Sequence, residues 1–273
     1  MDEAIITLEG SRAGPTVAVF AGVHGNELAG IRVVNYLRRN IELTAGTLHL
    51  VYGNPRAIDA QTRFVEKNLN RCFQESALSG DTYEEKRAVT LMQLLDTCDA
   101  LLDLHAYNEP HGEATPFVIT EENAFSLVSQ FDVSYVITGI DAIEKGGTDA
   151  YMSNQGKVGI CVELGAISTP DVYIDLGIAT ALQFLYHFGL ITERPAPHKR
   201  TQSILRVQGK HIRQSEDFSF AKNFMTFEAV QAGQLICIDG GVPIHATEDV
   251  RLLFSSGMKP VGVEAYLTAV KVT

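Results

Sequence analysis

Apolar and polar positions along the first two thirds of the chain switch between two periods. Thr16 to Ala21 is a continuous apolar run rich in β-branched residues and predicts a buried strand. Leu28, Ile31, Val34 and Leu37 then recur at helical spacing, which predicts a helix to about Arg39. Thr47 to Tyr52 predicts a second strand, ended by Gly53-Asn54-Pro55. Ala88, Leu91, Leu95 and Cys98 mark another helix, and Ala100 to Leu104 a strand ending at His105. Pro116 to Thr120, Val133 to Ile140 and Val158 to Leu164 predict further strands, the last ending near Glu163. A long helix is expected from about Asp171 to Phe188. Strands alternating with helices predict an α/β fold, a sheet with helices on its faces.

The pattern changes at Thr192-Glu193-Arg194-Pro195-Ala196-Pro197-His198-Lys199, a polar, Pro-rich linker. Helical periodicity is lost beyond it. Short candidate strands remain at Ile204 to Val207, Gln234 to Ile238, Val250 to Phe254 and Val261 to Leu267, punctuated by Gly240-Gly241. The expected organisation is an α/β catalytic domain over 1–194 and a small all-β domain over 199–273.

Composition narrows the partners. The 273 residues are 45% apolar and 20% charged, ordinary for a chain that buries a core. A net charge of −11 argues against nucleic acid and anionic membranes, but not against a small anionic substrate held by a local arginine cluster. The acidic start Met1-Asp2-Glu3-Ala4 gives no signal peptide, and no apolar run spans a bilayer. Cys72, Cys98, Cys161 and Cys237 are scattered without a C-x-x-C pair. Four reduced thiols in a cytoplasmic protein are expected. Homo-oligomerisation stays open.

The chemistry lies at the predicted strand ends. His24-Gly25-Asn26-Glu27 enters a helix through a Gly-rich turn just past the first strand, and His105 follows another strand. Such turns are where α/β sheets place their ligands. Two imidazoles and a carboxylate suit one metal, and Glu163 is a second carboxylate left free for proton transfer. Asp103 shares a face with His105 if the strand persists, as a hydrogen-bond partner for that ring. On spacing alone, ordinary hydrogen-bonded turn histidines fit equally well. His245-Ala246-Thr247-Glu248 shows how common the spacing is: it matches too, but has no partner histidine at a strand end.

The motifs Gly22-Val23-His24-Gly25-Asn26-Glu27, Asn54-Pro55-Arg56-Ala57, Thr62-Arg63-Phe64, Asn68-Leu69-Asn70-Arg71, Asp103-Leu104-His105 and Cys161-Val162-Glu163-Leu164-Gly165 occur in that order. In this ordered set the chain resembles the succinylglutamate desuccinylase/aspartoacylase family of the zinc carboxypeptidase superfamily. The resemblance implies a zinc carboxypeptidase-like mixed sheet flanked by helices, with the small β domain bordering the site. It implies one zinc on His24, Glu27 and His105, and Glu163 as general base and then acid. It further implies that Arg63 polarises the scissile carbonyl while Asn70 and Arg71 hold a substrate carboxylate. Arg56 and Tyr266 (in Val263-Glu264-Ala265-Tyr266) would line the substrate pocket.

Two departures qualify what the resemblance implies. Asn68 stands where the family motif has Asp, which removes a charge but keeps hydrogen-bonding capacity. The stretch Thr148 to Lys157, which in aspartoacylases carries an Arg for a second substrate carboxylate, has none here. Ser153 or Asn154 could hydrogen-bond a substrate and Lys157 could supply charge if it points inward, so N-acetylaspartate is not supported as the substrate. His111 is a further candidate for the pocket wall. The function expected is hydrolysis of the amide of an N-acyl amino acid or related small carboxylate-bearing amide. A carboxypeptidase acting on short peptides and a non-catalytic zinc-containing carboxylate binder are the alternatives.

Overall fold

The computed structural model describes residues 4–109, 114–196, 200–255 and 259–272. The chain begins with β1 (Ile5–Glu9), β2 (Thr16–Ala21), α1 (Leu28–Asn40), β3 (Thr47–Tyr52) and α2 (Pro55–Ala60). Then follow α3 (Tyr83–Asp96), β4 (Ala100–Tyr107), β5 (Phe117–Thr120), α4 (Phe125–Val128), β6 (Tyr135–Thr138), α5 (Thr148–Ser153), β7 (Val158–Ala166) and α6 (Ile174–His187). The remainder is β8 (Ser203–Ile212), β9 (Ser219–Phe220), β10 (Ala229–Val230), β11 (Leu235–Asp239), β12 (Val242–His245), β13 (Val250–Leu253) and β14 (Glu264–Lys271).

Eleven strands form one mixed sheet in the order β1-β3-β2-β4-β7-β5-β6-β8-β14-β13-β10, and β12-β11-β9 form a small antiparallel sheet. Its centre, β3-β2-β4-β7, is parallel, with antiparallel β1 at one side and antiparallel β5 at the other. Strand β8 pairs in parallel with β6, so β8, β14, β13 and β10 extend the same sheet beyond the Pro-rich linker.

Side-chain alternation assigns the two faces of the central strands. Val19, Leu102, Leu104, Val162 and Leu164 pack on one face with Val33, Leu37 and Phe184 of α1 and α6. Ala18, Phe20 and Leu101 pack on the other with Leu91 and Leu95 of α3 and Met152 of α5. Burying each such Leu or Phe contributes about 1.5–3 kcal/mol. Helix α1 lies unusually close to β4: a Cβ on Gly30 would sit 2.6 Å from the Leu104 carbonyl oxygen. That close approach sets the start of α1 beside the end of β4.

Most predicted elements appear near their expected bounds, with physical reasons for the differences. Cys98 lies beyond the end of α3, whose last turn is closed by Thr97. Strand β4 runs to Tyr107, so His105 is within the strand rather than after it. Strand β8 runs to Ile212, well past Val207, because it pairs along most of its length with β14. The short α2 and α5 and the five-residue edge strand β1 are too short for a periodic pattern to announce them.

Candidate active site

The turn after β2 is shaped by glycines. Gly22 has a φ of +66°, and a Cβ on Gly25 would lie 2.0 Å from the Ala57 carbonyl carbon. The His24–Glu27 turn therefore lies directly on α2 and delivers Glu27 to the N-terminus of α1, a position that favours a carboxylate. On the neighbouring strands, His105 of β4 is the register partner of Glu163 of β7, and Asp103 that of Cys161. In-register neighbours on parallel strands share a face, so the register sets Glu163 beside the imidazole of His105.

His24, Glu27 and His105 converge, with one ligand atom from each lying within 4.8 Å of the others, and all three are buried. His24 Nδ1 is 2.7 Å from Glu27 Oε1, and His105 Nδ1 is 2.9 Å from Glu27 Oε2. The opposite ring nitrogens are fixed by other groups. His105 Nε2 donates to Asp103 Oδ2 at 2.9 Å, and His24 Nε2 donates to Asn68 Oδ1 at 2.9 Å. Because Asn68 Oδ1 also accepts the Asn70 N–H, it is an acceptor, and His24 must carry its proton on Nε2. A neutral imidazole protonated on Nε2 turns a lone pair toward Glu27. Two such lone pairs facing one carboxylate require a cation between them, either a proton or a metal ion. This donor set fits a divalent ion of the zinc type.

The same geometry explains Asn68: it keeps the acceptor that orients His24 and loses only the charge. Asn68→Asp is expected to tighten metal binding by about tenfold, since a carboxylate makes the ring a more basic ligand. Competition with a fluorescent chelator measures it, and unchanged affinity would remove Asn68 from the metal's surroundings.

Arg63 comes from the loop between α2 and α3. Its Nη1 donates to Glu27 Oε1 at 3.2 Å while 46% of its side chain stays exposed, so it borders the ion site from the solvent side. The loop is held by Glu84, a buried residue that sequence reasoning passed over. Its carboxylate accepts the N–H groups of Val65, Glu66 and Lys67 and the side-chain amide of Asn54. Burial works against the charge of Glu84, but these hydrogen bonds hold its pKa below the ordinary value. A partial signal existed: Thr82 and Glu85 form the capping box of α3, which leaves Glu84 to turn inward.

Asn70 and Arg71 lie in a 3₁₀ turn, Leu69–Arg71. Asn70 Oδ1 accepts the N–H of Thr148 at 3.1 Å, and the Thr148 hydroxyl donates to Asp103 Oδ2. Asn70 is thus tied through Thr148 and Asp103 to His105. Arg71 pairs with Glu144, its Nε 3.0 Å from Oε2.

Other predicted positions lie apart from this network. Arg56 is exposed, with its guanidinium 4.3 Å from the centre of the Tyr83 ring. Tyr266 is 3% exposed in the core of the C-terminal strands, its ring stacked on His211 and its hydroxyl 4.0 Å from Cys237 Sγ. Lys157 does not point inward: its Nζ donates to the carbonyls of Leu95 and Asp96 at the end of α3. His111 falls outside the described residues. Cys72, Cys98, Cys161 and Cys237 are unpaired and buried.

Electrostatics separates the carboxylates. Burial opposes the charge of Glu27, yet His24 and His105 hold its pKa well below the usual range. Burial lowers His24, and Glu27 offsets this only in part. Burial also works against a charged His105, but Asp103 and Glu27 raise it well above its ordinary value. Glu163 goes the other way. Burial pushes it up to about 8, with Glu27 adding and His105 opposing. Among the described residues its Oε2 has no hydrogen-bond partner. A carboxyl that binds its proton more tightly folded than unfolded stabilises the fold at low pH. For the metal-free protein that stabilisation is full below the ordinary value of 4.5 and is lost as pH rises through about 8. Melting temperatures in chelator from pH 5 to 9 should fall, and Glu163→Gln should flatten the slope. Equal slopes would show that Glu163 ionises freely.

Comparison with known proteins follows the same lines. The model of the succinylglutamate desuccinylase/aspartoacylase catalytic domain matches residues 13–178. The chain belongs to this family. The matched region contains His24, Glu27, Arg63, Asn70, Arg71, His105 and Glu163. Among its relatives, the chain is 30% identical over 205 residues to an N-acyl-aromatic-L-amino acid amidohydrolase (carboxylate-forming) of Rattus norvegicus, covering 66% of this chain and 64% of that protein. It is 26% identical over 294 residues to a succinylglutamate desuccinylase of Shewanella sp. (strain MR-7), covering 96% of this chain and 84% of that one. In structure it is similar to the succinylglutamate desuccinylase of Vibrio cholerae, with a TM-score of 0.83 at 19% identity over 98% of this chain and 85% of that chain. The chain spans slightly under two thirds of the length of the rat relative, 64% of it. No helix among the described residues is long and apolar enough to cross a membrane.

Proposed function

We propose that this chain is a zinc-dependent amidohydrolase that cleaves the amide of an N-acyl amino acid or a related small carboxylate-bearing amide. The observation that carries the reading is the division of labour between two buried carboxylates. Glu27 faces both imidazoles and is held ionised, whereas Glu163 stands beside them with an unpartnered oxygen and a raised proton affinity. That pair of environments suits a ligand and a proton carrier, respectively.

His24, Glu27 and His105 would hold the zinc. A bound zinc supplies Lewis-acid polarisation of an amide carbonyl and acidifies water. Glu163 takes the proton of the attacking water and returns it to the leaving nitrogen, a task that favours a carboxyl titrating near neutral pH. Arg63, at the exposed edge of the site, stabilises negative charge as it develops on the carbonyl oxygen. Arg71 binds the substrate carboxylate, and Asn70, fixed by Thr148, holds the turn that carries it. The partner is a small anionic molecule, and four unpaired thiols support a reducing, cytoplasmic setting.

The test is hydrolysis of a panel of N-acyl amino acids and dipeptides by the zinc-loaded protein, with chelator-treated protein as control. Chelator-sensitive release of free amino acid from the acyl substrates is expected. Turnover of dipeptides alone would turn the reading toward a carboxypeptidase, and turnover of nothing would overturn it.

A further inference from the structure

Arg71 already faces a carboxylate of its own chain. Glu144, on the segment between β6 and α5, places Oε2 3.0 Å from both Nε and Nη2 of Arg71. Its other oxygen, Oε1, accepts from Lys210 Nζ of β8 at 2.6 Å, and that lysine also donates to the Ile143 carbonyl. Arg71 Nη1 donates to the Asn70 carbonyl at 2.8 Å. A guanidinium has five N–H groups. Among the described residues, Nε and Nη1 each donate one hydrogen bond and Nη2 lies in ion-pair contact with Glu144, so both terminal nitrogens keep an N–H to offer one carboxylate. Charge balance points the same way. Arg71, Glu144 and Lys210 together carry one net positive charge.

Among the described residues the other cations of the site have partners of their own, Arg63 pairing with Glu27. Lys157 is turned to the end of α3, and Lys259 is held by the Phe254 carbonyl and Glu264. Asp141, pushed up to about 7 by burial and by the carboxylates of Asp149 and Glu121, has Arg71 as the cation that opposes the shift. A second anion brought beside Arg71 would therefore meet acids.

We infer that Glu144 is a specificity-determining residue that limits the pocket to substrates with one carboxylate, by occupying the side of Arg71 that a second would use. The inference rests on the proposed amidohydrolase reading, because it assigns Arg71 to the substrate.

The test compares N-acetylasparagine with N-acetylaspartate, which match in shape and differ by one carboxylate. With zinc-loaded wild type, kcat/KM should favour N-acetylasparagine by about tenfold or more, the effect of one uncompensated charge at close range. Glu144→Gln should shrink that preference by about tenfold, and Lys210→Met, which leaves Glu144 less neutralised, should widen it. A residue that only supported the fold would change both substrates alike. Preference for N-acetylaspartate in wild type, or an unchanged ratio in Glu144→Gln, overturns the inference. If Glu144→Gln fails to fold, an unchanged ratio in Lys210→Met overturns it. If wild type hydrolyses neither compound, the enzymatic reading fails for these amides, and calorimetric dissociation constants decide the inference. The same ratio and the same shifts in binding uphold it, and equal binding or none overturns it.

Discussion

Glu163→Gln is expected to lower kcat by about 10²–10⁴-fold while the protein keeps its full complement of metal. The glutamine matches the carboxyl in shape and fits the same buried place beside His105, so the fold and the donor set of His24, Glu27 and His105 are retained. What is lost is a group that accepts a proton near neutral pH. Zinc content by atomic absorption and turnover on the best N-acyl amino acid, measured on one sample, separate the two effects. Retained turnover removes Glu163 from the chemistry, and loss of metal makes it a ligand.

His105→Ala has an equally large expected effect through a different route. The ring lies between Glu27 and Asp103, and both carboxylates are buried. Removing it takes away one of three donors and leaves two buried acids facing a void. Metal affinity should fall by more than about 100-fold, beyond the range for losing an outer hydrogen-bond partner alone, and activity should disappear with it. Asp103→Asn supplies the contrast. It preserves an acceptor for His105 Nε2, so its loss of affinity should stay within about 10–100-fold. Titration with zinc under a competing chelator orders the three proteins. A His105→Ala variant that binds zinc as the wild type does would exclude His105 from the site.

The parts of the site that were legible in the sequence are those that local pattern controls. Apolar runs located β2, β4 and β7, with His24 just past the first and His105 and Glu163 in the C-terminal parts of the other two. The pairing of His105 with Glu163 was not legible, because register between parallel strands depends on contacts far apart in sequence. Glu144 carried no signal, since the segment before α5 has no periodicity and its partners Arg71 and Lys210 lie 73 and 66 residues away. Lys157 was read by its charge alone, and the carbonyls at the end of α3 hold it elsewhere. Tyr266 was placed by resemblance, but the surrounding pattern is that of a core strand, and the ring lies among His211, Phe220 and Cys237.

The ordered motif set did more than any single spacing. His245-x-x-Glu248 matches the spacing of His24-x-x-Glu27, yet among the described residues the one cluster of three metal-binding side chains is His24, Glu27 and His105. The difference is topological. Only the first pair follows a central parallel strand whose neighbour carries a second histidine.

Crystals of protein prepared with zinc, with diffraction recorded on both sides of the zinc absorption edge, test this arrangement most directly. One anomalous peak is predicted at about 2.0–2.2 Å from His24 Nδ1, His105 Nδ1 and the Glu27 carboxylate, with Glu163 nearby but unbonded. A peak elsewhere, or none together with imidazoles turned away from Glu27, would contradict it.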